Sequence, residues 1–174
     1  MAMGRLSRAS SPVRKVAIVG GGPTRYDAPF KDLSWEIWGF SSKNEPIPRV
    51  TRWFEIHDLE DLKQQLATPK KKRWMFDDYM AYLRSLSCPV YMMRRQPDIP
   101  KSVVFPGLQL VKEFGRCFTC TAAYLIAFAI KLQCRELGLW GVSLQGKKYT
   151  HQRPVIAYLL GLAKQRGIRI HVPA

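Results

Sequence analysis

Apolar positions along the chain fall into short blocks bounded by Gly, Pro and charged residues. Val16, Ala17, Ile18 and Val19 form an unbroken run after Lys15 and stop at Gly20, Gly21 and Gly22. That is the pattern of a strand buried on both faces that enters a tight turn. Two further runs rich in aromatic and β-branched residues, 35–40 and 52–56, predict two more strands, with a Pro-containing loop at 45–48 between them. Asp58 is placed to cap a helix running to Leu66, which Pro69 and the basic run 70–73 end. Asp77 or Asp78 starts a second helix carrying Tyr79, Met80, Tyr82, Leu83 and Leu86 at helical spacing. Residues 89–93 read as a strand, and 94–106, with three prolines and little helical period, as a surface excursion.

Thr119 or Thr121 opens the strongest helix, 122–133, which is apolar on nearly every side and is therefore expected to lie between the sheet and another layer. A strand over 136–142 follows. Pro154 suits the first position of a helix reaching Gln165, Gly167 suits its end, and 168–172 predicts a last strand. Strand and helix alternate, so the expected fold is a single Rossmann-like α/β domain over 15–174, three layers deep, with a mostly parallel sheet and right-handed crossovers. Residues 1–14 are expected to form a flexible basic arm. The 174-residue length suits one such domain rather than two.

Composition changes this picture in two ways. A hydrophobic fraction of 47% excludes global disorder. The 28 Lys and Arg against 13 Asp and Glu leave a net charge of +15, which predicts an anionic partner. The cations are spread from Arg5 to Arg169, so the excess suits a small phosphate, a nucleic acid such as DNA, or a solvated face alike. The longest apolar stretch, 122–130, is too short to span a membrane, and the amino terminus has no apolar leader, which predicts an intracellular, cytoplasmic protein. Cys88, Cys117, Cys120 and Cys134 are then expected as reduced thiols. Cys117 and Cys120 form a lone Cys-x-x-Cys without a second ligand pair, so no metal is expected.

Four segments carry candidate chemistry at the predicted carboxyl ends of strands. In Gly20-Gly21-Gly22-Pro23-Thr24-Arg25, missing Cβ atoms let backbone N–H groups approach a phosphate and Arg25 can add charge, with a purely structural tight turn as the alternative. The segment is neither G-x-G-x-x-G nor a P-loop. Thr119, Cys120 and Thr121 stand at a helix start, where free N–H groups attract anions and hydroxyls also serve as caps. Ser143 follows the strand over 136–142 and leads through Lys147, Lys148, His151, Gln152 and Arg153 to the next helix. There His151 has a pKa suited to general-base work, and Arg153 can neutralise a leaving phosphate. A second candidate base is His57, which Glu55 or Asp58 can orient; Asp58 as a mere helix cap is the alternative.

Taken together, Val16 to Thr24, Trp35 to Gly39, Arg52 to His57, Phe118 to Thr121 and His151 to Pro154 resemble small proteins of tailed bacteriophages, over residues 15–172. The Gly-Pro turn and the hydroxyl-bearing start of the apolar helix are also similar to bacterial sialyltransferases and to the 6-hydroxymethylpterin pyrophosphokinase-like family. That resemblance implies a Rossmann-like sheet that binds a nucleotide or nucleotide-sugar donor at Gly21, Gly22, Pro23, Thr24, Thr119 and Thr121, with a transferase reaction at the strand ends. Thr24 replaces the usual Ser after Gly-Pro, and Ser143 stands where an acidic residue is common, which implies cationic side chains rather than a metal. The expected function is a glycosyltransferase-like transferase acting on a hydroxyl acceptor, a modified base in phage DNA among them. The alternatives are a non-catalytic nucleotide-sequestering module and a DNA-binding accessory protein that uses 70–73 and the amino-terminal arm.

Overall fold

The computed structural model describes residues 15–40, 46–67, 75–142 and 149–173. The expected basic arm over 1–14, the run 70–73, Ser143, Lys147 and Lys148 lie outside the described residues. The element order is β1 (Lys15–Val19), a 3-10 turn (Pro23–Asp27), β2 (Glu36–Phe40), β3 (Arg52–Glu55), α1 (Leu59–Leu66), α2 (Phe76–Ser85), β4 (Val90–Met92), β5 (Ser102–Val104), α3 (Gly107–Phe114), α4 (Thr121–Lys131), β6 (Glu136–Trp140), α5 (Arg153–Gln165) and β7 (Arg169–His171). Every pairing is parallel, in the order β5-β4-β3-β2-β1-β6-β7. This is the expected Rossmann-like α/β domain.

Strand alternation divides the core into two faces. Val16, Ile18, Trp38, Phe54, Leu137 and Leu139 pack against α3, α4 and α5. Trp53, Val90 and Met92 turn the other way, onto Leu62 and Leu66 of α1 and Tyr79, Met80 and Leu83 of α2. Ala17, Val19, Ile37 and Trp140 share that second side with Trp35. α4 buries eight of its eleven residues, in keeping with its unpatterned apolar sequence.

Several elements depart from expectation. The excursion at 94–106 contains the edge strand β5, which satisfies its prolines because Pro100 and Pro106 flank it rather than interrupt it. α3 follows at once, burying Leu110 and Phe114 and closing at Gly115, whose φ is 85°. Arg153 rather than Pro154 is the first residue of α5. Part of the cationic excess proves structural. Arg49 donates to the backbone carbonyls of Phe30, Trp35 and Asp32 at 2.8–3.1 Å, and Arg84 and Lys131 pair with Asp98 and Glu113.

Candidate functional site

Strand order reverses between β1 and β6: the chain builds outward from β1 to β5 on one side and from β6 to β7 on the other. Open α/β sheets bind ligands outside the carboxyl ends of the strands at such a point. Here the two strand ends are stitched together. The Gly20 N–H donates to the Trp140 carbonyl and the Gly22 N–H to the Gly141 carbonyl, both at 2.8 Å, and the Gly141 N–H donates to Thr24 Oγ1 at 2.8 Å.

The glycines therefore answer to a different need than the one expected. The amides of Gly20 and Gly22 face β6 rather than a phosphate. A Cβ at Gly20 would lie 2.6 Å from the Gly141 carbonyl oxygen, so the close approach of two backbones demands its absence. Gly21 makes no hydrogen bond to another described residue, which leaves its N–H open to a ligand. Arg25 is buried, with its guanidinium 5.3 Å from the Tyr26 ring centre and its Cβ facing Gly141.

Two helices begin beside this crevice without a side-chain cap. The hydroxyl cap expected from Thr119 or Thr121 is not formed: Cys120 holds the capping position in extended geometry, Thr119 is exposed one residue earlier, and Thr121 is the first helical residue. Cys120 can cap only poorly, because a thiol is a weak acceptor. Burial raises its pKa, which keeps the sulfur protonated and uncharged. Gln152 precedes α5, again with no capping bond from its side chain. The first turns of α4 and α5 thus keep N–H donors and positive dipole ends for an anion. His151 and Arg153 are exposed at the start of α5.

A second constellation stands at the carboxyl end of β3. Glu55 is 1% exposed and accepts three hydrogen bonds: from the His57 backbone N–H at 3.1 Å, from His57 Nδ1 at 2.6 Å and from the Tyr79 hydroxyl at 2.8 Å. The Tyr79 oxygen in turn accepts from Trp53 Nε1 at 2.9 Å. Burial first, and the adjacent Glu55 charge second, hold the Tyr79 pKa well above its usual 10.0, so this phenol stays a donor. Asp58 does only the work of a cap, accepting from the Glu60 N–H at 2.9 Å. Glu55 orients the imidazole, and Tyr79 is the member the sequence did not announce. Tyr79 is separated from Glu55 by 24 positions, and its helical spacing marks it simply as core.

The Glu55 hydrogen bond raises the His57 pKa above its usual 6.5, more than partial burial lowers it. A raised folded-state pKa contributes stability that is complete below the unfolded value and fades as pH rises through the folded one. Urea denaturation of wild type and His57→Gln should therefore show a stability gap at about pH 6 that narrows by about pH 9. A gap independent of pH would mean that His57 and Glu55 are not coupled.

Among the described residues no group of three or more His, Cys, Asp or Glu side chains could hold a metal ion, and no helix is long and apolar enough to cross a membrane. No protein-family model matches the sequence, and no curated protein matches it. Solved structures do match. The sialyltransferase CstII from Campylobacter jejuni with cytidine 5′-monophosphate superposes with a TM-score of 0.55 at 12% identity, covering 91% of this chain and 79% of that one. CstII from the same organism with CMP-3FNeuAc gives 0.54 at 15% identity, with coverage of 91% and 79%. The CST-II complex with a trisaccharide acceptor and CMP gives 0.54 at 14% identity, with coverage of 91% and 80%. This chain therefore shares the Rossmann-like fold of the sialyltransferase CstII.

Proposed function

We propose that the protein is a nucleotide-sugar-dependent transferase of glycosyltransferase type, holding its donor at the carboxyl ends of β1 and β6. The observation that carries this reading is the stitched crevice: a strand-order reversal at which the Gly20–Thr24 turn, Gly141 and two uncapped helix starts converge. Gly20, Gly22, Pro23 and Thr24 shape the crevice floor. Gly21, Thr119, Cys120, Thr121 and Gln152 line the path of the nucleotide, with the first turns of α4 and α5 facing its phosphate. Arg25 and Arg153 offset the charge that develops as the phosphate leaves, so the reaction needs no metal. The CMP and CMP-sugar complexes of the structural neighbours support a nucleotide-type donor. The acceptor carries a hydroxyl, and DNA with a modified base is one candidate that the +15 charge would attract.

Thermal melts with nucleoside mono-, di- and triphosphates and with CMP-, UDP- and GDP-sugars test the donor site, because a ligand at ~100 times its Kd stabilises the fold by about 2.7 kcal/mol. For a chain of this size that is a shift of roughly 5–10 °C. The shift is expected to depend on the base and to weaken in Thr119→Val, an exposed and nearly isosteric change. Absence of a shift with every nucleotide would remove the proposal. Binding without turnover of any donor would leave a nucleotide-sequestering module.

A further inference from the structure

We infer that the open edge of β5 is a docking surface for an extended acidic peptide segment of another protein, which pairs with β5 and lengthens the sheet by one strand. The inference is independent of the donor site.

β5 closes one side of the seven-stranded sheet and β7 the other. β7 is guarded by charge: Arg169, 74% exposed, stands at its start, and His171 at its end is tied to Glu136 at 2.7 Å. Charged side chains on an edge discourage a further strand. The edge of β5 is different. Its residues are Ser102, Val103 and Val104, with both valines exposed and Val104 at 60%.

Register shows which backbone groups the edge offers. The Val90 N–H donates to the Lys101 carbonyl at 2.9 Å and the Phe105 N–H to the Met92 carbonyl at 2.8 Å, with Val103 opposite Tyr91 between them. Residues 101, 103 and 105 thus direct their ladder groups to β4. These groups alternate in direction along a strand, so those of Ser102 and Val104 turn away from β4. The Ser102 N–H is taken by the Ile99 carbonyl at 2.9 Å. The Ser102 carbonyl and the N–H and carbonyl of Val104 remain, without a partner among the described residues. An added strand of either direction can meet all of them. The edge is also held in place beforehand, because the buried Ser102 Oγ accepts from the Gln96 N–H at 3.0 Å and donates to the Gln96 carbonyl at 2.9 Å.

Charge selects the occupant. A groove of about 450 Å³ opens at this edge, lined by Pro89, Arg95, Pro100 and Lys101 together with β5 itself. Arg95 and Lys101 form no ion pair among the described residues. Two such cations beside exposed valines suit a segment whose apolar centre is flanked by carboxylates. A second copy of this chain suits them poorly. Pairing β5 with itself about a two-fold axis would set Arg95 and Lys101 near their own copies and bring together two chains of +15 each. A nucleic acid answers the charge but has no strand to add to the ladder. Pro100 and Pro106 bound the edge, so the added segment is short and the contact weak and reversible.

Fluorescence anisotropy of the full chain with a labelled peptide of alternating valine and threonine, flanked by glutamates, tests this. The peptide should bind, and lysines in place of its glutamates should weaken it by at least ~10-fold. N-methylation of alternate peptide amides reads out strand pairing: on the set that faces β5 it should abolish binding, and on the other set leave it within about 2-fold. Val104→Pro removes the outward N–H and none of the bonds to β4, so it should keep the wild-type melting temperature within a few degrees and lose at least ~10-fold in affinity. Val104→Thr, which keeps that N–H and the side-chain shape, should stay within about 3-fold of wild type. Absence of peptide binding, or wild-type affinity in Val104→Pro, would overturn the inference. An equal response to the two methylated sets would overturn it as well, leaving a purely electrostatic surface of the kind a nucleic acid also meets. So would a concentration-dependent dimer in sedimentation velocity that Val104→Pro dissociates, which would assign the edge to a second copy of this chain. Nucleotide-induced melting shifts should be the same in Val104→Pro and wild type, so the donor site stands or falls separately.

Discussion

Replacing Phe128 with alanine is expected to lower the stability of the domain by about 3–5 kcal/mol, a loss of roughly 10 °C in Tm for a chain of this size. Phe128 projects from α4 into the place where β2, β3 and β4 and the chain after β5 each deliver an aromatic ring. Its centroid lies 5.4 Å from Trp38, 6.2 Å from Phe54, 5.6 Å from Tyr91 and 5.7 Å from Phe105. Phe54 stacks on Tyr91 at 4.8 Å, so the rings around the deleted side chain brace one another and cannot collapse into the space it leaves. The cost should therefore sit toward the upper part of the range. Urea denaturation of the two proteins checks it. A difference below about 1.5 kcal/mol would mean that α4 does not dock on the sheet through this ring.

Gly141→Val is expected to cost about 2–5 kcal/mol and to abolish nucleotide-induced stabilisation in the molecules that remain folded. Gly141 has a φ of 65°, a conformation that a β-branched residue adopts only with strain. Its missing Cβ would also lie 2.6 Å from the Gly20 carbonyl oxygen and 2.9 Å from Arg25 Cβ. Neither contact is relieved by rotating the new side chain, because both belong to atoms near or on the backbone. The two strand ends must part, which breaks the bonds from Gly22 to Gly141 and from Gly141 to Thr24 that shape the crevice. Gly161→Ala is the control: it lies inside α5 with no atom within 4 Å of the added Cβ, and should stabilise by about 0.5–1 kcal/mol. A stable Gly141→Val protein with its nucleotide response intact would show that the crevice is not the donor site.

Most of the architecture was legible from local chemistry. The unbroken run 16–19 and the glycines behind it announced β1, because only a doubly buried parallel strand tolerates so many successive apolar side chains. Asp58, Gly167 and the apolar run of α4 marked their helices through capping geometry and burial. β5 and α3 were not read, since proline density at 94–106 suppresses strand expectation when the flanking strand that completes the ladder is unknown.

The site divides in the same way. Sequence by itself determined that this is one parallel α/β domain, that it carries a large positive charge, and that glycines, hydroxyls and histidines gather where strands end, because these features depend on residue type and short-range spacing. Only the tertiary structure decided which of them meet. It turned the Gly20 and Gly22 amides toward β6, put Cys120 rather than a hydroxyl residue at the capping position of α4, joined Glu55 to Tyr79 across 24 residues and set Arg94 beside His57. Those outcomes follow from strand order and register, which bring residues distant in the chain within hydrogen-bond reach, and no local pattern encodes them.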